Sequence, residues 1–245
     1  MTFQLLRLEP DTHALAHWAT RNRLLSADGD YGYALHALLN AAFGDCAPQP
    51  FRYLGGRQGL LAYTSADPEA LRLNASLATP DVARALGLDT LDARAFPGAW
   101  QSGQRIGFEV RVRPVIRSKD GRERDAYLHA VDAAVDAEKQ AEIGSIAQRS
   151  AIYTDWLAKQ FAVDAAALIQ EAQLDSFKLT RVLRKGVAND QGQRKTTPIT
   201  GPDAVFKGVL QVGDPQGFNR LLARGVGRHR AFGFGMLLLK PAHSC

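Results

Sequence analysis

A chain of 245 residues with 46% hydrophobic and 22% charged side chains has the length for two domains and the composition of a folded protein, which excludes a mainly disordered one. The formal net charge is +5 at pH 7, and it is unevenly spread: from Ser176 onward twelve basic residues face three acids, a field that suits a polyanion such as nucleic acid. Two distant cysteines, six scattered histidines and no long apolar run exclude a disulfide framework, a metal-ligand cluster and a membrane span, so no cofactor, no membrane partner and a cytoplasmic location are expected.

In chain order, residues 3–8 read as a first strand stopped by Glu9-Pro10-Asp11, followed by a polar stretch that ends in Asp28-Gly29-Asp30. Leu35, Leu38, Leu39 and Ala42 then recur at helical spacing over 31–43, with Gly44 beyond the end. Residues 51–54 and 59–63 form a hairpin pattern around Gly55-Gly56, and Asp67-Pro68 and Thr79-Pro80 each open a short helix.

A break over 93–104 places the domain boundary, giving domains of 1–98 and 99–245. In the second, Phe108, Val110 and Val112 alternate with Glu109, Arg111 and Arg113, which predicts a strand with one buried and one charged face. A charged loop over 117–124 leads to a helix over 125–142, and further helix is expected over 153–161 and 165–173. Residues 177–184 and 204–212 alternate as strands, with 186–201 between them reading as a polar, basic loop. A helix from Gly217 to Arg224 and a last strand over 235–239 complete the chain. The fold class is α+β. Each half reads as strand, helix, hairpin, helix, strand, so tandem ferredoxin-like (RRM-like) domains with a glycine-rich C-terminal loop are the economical architecture, beside a single α+β domain of another topology.

Two segments carry chemistry. Residues 225–235, Gly-Val-Gly-Arg-His-Arg-Ala-Phe-Gly-Phe-Gly, combine four glycines with Arg228, His229 and Arg230. Backbone N–H groups there can cradle phosphate and the two arginines can add charge-assisted bonds, although a tight helix-to-strand connection accounts for the glycines equally well. The spacing departs from dinucleotide and P-loop patterns. Tyr33 and His36, three apart on the helix over 31–43, share a face; they are either partly buried anchors or a proton-transfer pair able to drive attack of a ribose 2′-hydroxyl on its phosphate. Arg21 and Arg23 lie just upstream as possible cations.

Taken in order, the strand at 3–8, Tyr33-Ala34-Leu35-His36, the run 103–114, Phe206-Lys207-Gly208-Val209-Leu210 and the glycine-rich end through Leu238 resemble the CRISPR repeat-processing endoribonucleases of type I-E systems. Type IV repeat-processing proteins share the glycine-rich end and are similar too. The resemblance implies tandem ferredoxin-like domains, metal-independent cleavage of precursor CRISPR RNA at the base of the repeat stem-loop, and a 2′,3′-cyclic phosphate product. It further implies precursor and mature guide RNA as partners, together with other subunits of a surveillance complex. By that resemblance Tyr33 and His36 are catalytic. A lysine that family members carry after the histidine is absent here, which leaves Arg23 or Arg228 to meet the transition-state charge. The expected RNA-binding set is Arg21, Arg117, Lys119, Arg122, Arg124, Lys178, Arg181, Arg184, Lys185, Arg194, Lys195, Arg228, His229 and Arg230. A catalytically silent RNA-hairpin-binding subunit is the alternative.

Overall fold

The computed structural model describes residues 3–117, 121–133, 146–188 and 194–242, which fall into two compact units. The first takes in Met1–Gly98, Thr180–Thr200 and Arg230–Gly233, the second Ala99–Leu179, Gly201–His229 and Phe234–Cys245.

In the first unit β1 (Phe3–Leu8) is followed by α1 (Thr12–Arg21), α2 (Gly32–Phe43), the hairpin of β2 (Phe51–Gly55) and β3 (Gly59–Thr64), α3 (Pro68–Ser76), α4 (Pro80–Leu86) and β4 (Asp92–Phe96). The sheet order is β2-β3-β1-β4 with antiparallel neighbours, the ferredoxin-like arrangement. β1 is central because Leu6 and Leu8 alternate into the core, and Leu6 sits opposite Ala62 of β3 and Ala93 of β4. Leu35, Leu38, Leu39 and Phe43 bury one stripe of α2 in the same core as Leu15 of α1 and Leu71 of α3.

The helix α1 falls in the stretch read as merely polar. Asp11 accepts hydrogen bonds from the backbone N–H groups of His13 and Ala14, and only Leu15 and Ala19 are fully buried, so capping rather than a broad apolar face defines the element. The strand β4 likewise occupies part of the expected linker.

The second unit contains β5 (Arg105–Val112), the short hairpin of β6 (Val115–Arg117) and β7 (Glu123–Asp125), α5 (Ala126–Ala133), α6 (Ile146–Phe161), the first part of β8 (Ala167–Ala188), the last part of β9 (Arg194–Val212), α7 (Pro215–Arg224) and β10 (Leu237–Lys240); the ends of β8 and β9 within Thr180–Thr200 belong to the first unit. Its order, β10-β5-β9-β8, repeats the ferredoxin-like plan. Phe108, Val110, Phe206, Phe161, Phe218 and Leu222 are all within 1% of complete burial.

Three expectations change. Residues 165–173 are not helix: a short 3-10 turn ends at Ala165 and β8 begins at Ala167, because pairing with β9 overrides an alanine-rich pattern. Gly208 of β9 makes that pairing close, since a Cβ there would overlap the Glu171 carbonyl. The supposed loop over 186–201 is largely strand, with β8 running to Ala188 and β9 starting at Arg194. Arg113 leaves the charged face and is 1% exposed, its guanidinium 5.5 Å from the centre of the Phe234 ring. Part of the helix expected over 125–142 lies outside the described residues. Among the described residues, no helix is long and apolar enough to cross a membrane.

Arg111 makes two charge-assisted bonds to Asp203, Nε to Oδ1 at 2.8 Å and Nη2 to Oδ2 at 2.6 Å, and the Asp203 side chain is 2% exposed. Lys207 meets Asp175 at 2.9 Å on the surface. Asp203→Ala is therefore expected to destabilise the protein by about 3 kcal/mol, because it strands a partly buried guanidinium. Asp175→Ala should change stability by less than about 1 kcal/mol. Urea denaturation of both variants checks the contrast, and equal effects would contradict it.

Candidate active site

α2 begins without a side-chain cap from Tyr31, but Asp30 Oδ1 accepts the Gly32 N–H at 2.9 Å. From that start Tyr33 and His36 fall on one helix face, their ring centres 6.2 Å apart. The short turn Arg230–Phe232 packs on the same helix. It comes so close that a Cβ at Gly32 would overlap the Phe232 carbonyl oxygen. Phe232 stacks on Tyr33 at 5.4 Å and 24° and meets His36 edge-on at 5.4 Å and 84°. These geometries lie within the favourable range for aromatic pairs.

His36 is half-buried, and the loss of water around it pushes its pKa below the ordinary histidine value. Asn40, one turn on, donates from Nδ2 to the His36 backbone carbonyl at 2.7 Å and lies 3.1 Å from His36 Nδ1. A cavity of about 280 Å3 opens beside this face, walled by His36, Asn40, Asp45, Gln49, Phe51 and Ala231 among others. Its size admits part of a nucleotide, and its walls are mostly polar.

The candidate cations fall in separate places. Arg21 lines a separate hollow with His13, His17, Trp18 and Arg84, and Arg23 is exposed at a φ of 55° just after α1. Neither lines the His36 cavity. Arg228 and His229 converge on one carboxylate: Arg228 Nε donates to Glu123 Oε1 at 2.6 Å, and His229 Nε2 lies 2.6 Å from Glu123 Oε2. Arg230 belongs to the turn against α2. Gly225, Gly227, Gly233 and Gly235 all take positive φ, as the glycine spacing implies, and so does His229 at 60°.

Among the other expected RNA contacts, Arg117 donates to the Gly121 carbonyl, Arg122 is exposed and Arg124 pairs with Asp132. Lys178 and Arg181 are exposed on β8, with Asp203 4.0 Å from Lys178 Nζ and the Arg181 N–H donating to Asp28. Arg184 and Lys185 lie on β8 and Arg194 and Lys195 on β9. Lys119 lies outside the described residues.

Phe232, Asn40 and Glu123 were not singled out from sequence. Asn40 was accessible in principle, since it stands four residues after His36. Phe232 and Glu123 are brought to their partners by tertiary structure. Among the described residues, no group of three or more His, Cys, Asp or Glu side chains is placed to hold a metal ion.

The sequence matches the family described as CRISPR associated protein over residues 4–241. Among solved structures, the fold is similar to CRISPR endoribonuclease Cse3 bound to 19-nucleotide RNA, at 19% identity and a TM-score of 0.65 over 98% of this chain and 100% of that one. It is similar also to Thermus thermophilus Cse3 bound to an RNA representing a pre-cleavage complex, at 19% identity and a TM-score of 0.64 with the same coverage. A chain of a CRISPR RNA-guided surveillance complex matches at 17% identity and a TM-score of 0.51, over 97% of this chain and 99% of that one. No curated protein sequence matches significantly. The chain belongs to the CRISPR-associated family.

Burial raises the Glu123 pKa, but hydrogen bonds and charge from His229 and Arg228 outweigh it and leave the carboxyl below its ordinary 4.5. A depressed carboxyl contributes stability above the unfolded value and loses it as pH falls through the folded one. Stability should therefore decline below about pH 4.5 in part through this group. Glu123→Gln should cost roughly 1–2 kcal/mol at pH 7 and flatten that acid limb. Denaturation from pH 7 to pH 3 tests it, and parallel curves for parent and variant would remove Glu123 from the account.

Proposed function

We propose that this member of the CRISPR-associated family is a metal-independent endoribonuclease that cuts precursor CRISPR RNA within the repeat, at the base of its stem-loop. In this reading it acts in the cytoplasm, keeps the mature guide RNA and joins other subunits of a surveillance complex. The observation that carries the reading is the Tyr33–His36 pair packed against Phe232, on a fold similar to that of RNA-bound Cse3 structures.

The chemistry follows from the groups at hand. A ribose 2′-hydroxyl loses its proton and attacks the adjacent phosphorus. The P–O5′ bond breaks, and the departing oxygen gains a proton. The products are a 2′,3′-cyclic phosphate and a 5′-hydroxyl. An imidazole with a depressed pKa suits proton movement near neutrality, and the Tyr33 phenol can donate to or orient a reacting oxygen. The phosphorane needs a cation, and we assign it to Arg23 or Arg228. Glu123 anchors Arg228 through Nε, which leaves its terminal nitrogens to meet an anion.

The exposed Lys178 and Arg181, with Arg184, Lys185, Arg194 and Lys195 on the same two strands, form the proposed track for the stem's phosphates. A-form RNA offers backbone shape more readily than base edges in its deep groove, which fits a charged hairpin as the gripping element. The Arg117–Arg124 segment and Arg21 are assigned secondary contacts to the same RNA, as are His229 and Arg230.

Cleavage of the cognate repeat in excess chelator, with both product ends mapped, tests the reaction: a cyclic phosphate on the upstream fragment is expected, and dependence on an added divalent ion would overturn the mechanism. His36→Ala should lower the single-turnover rate by about 100-fold or more with hairpin affinity nearly unchanged. A binder that never cuts would instead support the silent-subunit reading. Arg181→Ala should weaken binding and reduce the salt slope by about 1, the signature of one lost phosphate contact. An unchanged slope would take Arg181 off the RNA path.

A further inference from the structure

We infer that Asn40 is a positioning residue that holds His36 in the tautomer protonated at Nε2, so that proton transfer through Nε2 requires the Asn40 contact to break. The inference deepens the proposed cleavage reaction and rests on His36 serving in it.

The orientation of the Asn40 amide is set by the helix itself. Its Nδ2 donates to the His36 carbonyl oxygen at 2.7 Å, an atom that can only accept. Turning the amide over would press Oδ1 against that carbonyl. The same Nδ2 lies 3.1 Å from His36 Nδ1, so Nδ1 faces a donor and must be the bare, accepting nitrogen. In a neutral ring the hydrogen then sits on Nε2.

Both catalytic roles conflict with that state. To accept the 2′-hydroxyl proton, Nε2 must begin bare, which puts the ring's hydrogen on Nδ1. To give a proton to the leaving 5′ oxygen, the ring must begin as imidazolium and end neutral, again with hydrogen on Nδ1. Either step brings Nδ1–H against the Asn40 N–H. If RNA draws Asn40 away, His36 becomes competent; in the free protein it is held silent.

Other polar and aromatic groups stand around this hydrogen bond. Tyr33 stands on the same helix, Asp45 lines the same cavity, and Arg230 begins the turn packed on α2. Phe232 covers the ring edge without offering a hydrogen-bonding group. Asn40 itself is exposed, so replacing it leaves the core intact.

The test is long-range proton–nitrogen correlation NMR on the full chain carrying labelled histidine, with the His36 signals identified by their loss in His36→Ala. Free protein should show His36 protonated at Nε2 and bare at Nδ1. Asn40→Asp replaces the donor by a carboxylate that, turned off the His36 carbonyl, accepts from Nδ1, so it should move the hydrogen to Nδ1 and raise the His36 pKa by about a unit or more. It should also raise the single-turnover rate at neutral pH, measured with saturating enzyme, by about tenfold. That is a small part of the roughly 10⁴-fold penalty a wrong imidazole tautomer imposes in hydrolytic triads. Asn40→Ala should shift the pKa upward by less and leave a mixture of tautomers. Hydrogen on Nδ1 in the parent protein, or an unchanged tautomer and pH–rate profile in both variants, would overturn the inference. Failure of the cleavage reading is seen separately: the NMR result would stand while His36→Ala cut RNA at the parental rate.

Discussion

The candidate site depends on a missing side chain. Gly32 opens α2 at the point where the Phe232 carbonyl presses closest, and any Cβ there would force the 230–232 turn away. With the turn displaced, Phe232 would leave Tyr33 and His36, His36 would regain water, and its pKa would return toward the ordinary value. The Asp30 carboxylate reinforces the arrangement by accepting the Gly32 N–H, so one residue carries both the start of the helix and the approach of the turn. The proposed proton-transfer site is thus assembled from residues almost 200 positions apart.

The glycine-rich segment serves two ends. Its first part, with Arg228 and His229, is fastened to Glu123, while its 230–233 portion belongs to the unit that carries α2. His229 adopts a positive φ that a non-glycine residue resists by about 1 kcal/mol or more, and its ring is held by the Glu123 carboxylate. Strain of that kind persists only where neighbouring contacts over-determine the backbone. A salt-linked anchor on one side and an aromatic stack on the other provide such contacts.

Much of this was legible in the chain. Elements with strong local signals, the β2–β3 hairpin, the proline-opened α3 and α4 and the alternation of β5, fall where periodicity and capping put them. α1 was missed because its buried stripe is only Leu15 and Ala19, too narrow for a pattern to announce. The start of β8 was misread because edge strands hide their partner: Leu168 is 60% exposed, and nothing local distinguishes Ala165–Gln173 from a helix until β9 lies alongside. At the site, Tyr33 and His36 were visible as a helical pair. Phe232 and Glu123 were not, because each acts on a residue distant in sequence, and charge counting assigned Arg228 to solvent or RNA with no sight of the acid that holds it.

That last point changes how the basic excess should be weighed. Of the twelve basic residues after Ser176, Lys207, Arg220, Arg228 and Lys240 have carboxylate partners within the fold, at 2.9, 3.5, 2.6 and 2.7 Å. A surface pair contributes little to stability, but it lowers the field available to a polyanion, since the neighbouring carboxylate repels phosphate over the same few ångströms. Lys178, whose Nζ lies 4.0 Å from Asp203 Oδ2, is paired more loosely than these. In the proposed reaction Arg228 is the exception. Tying one face of its guanidinium to Glu123 fixes the position and orientation of the rest, and a fixed cation stabilises developing charge better than a mobile one because little reorganisation is needed when that charge appears.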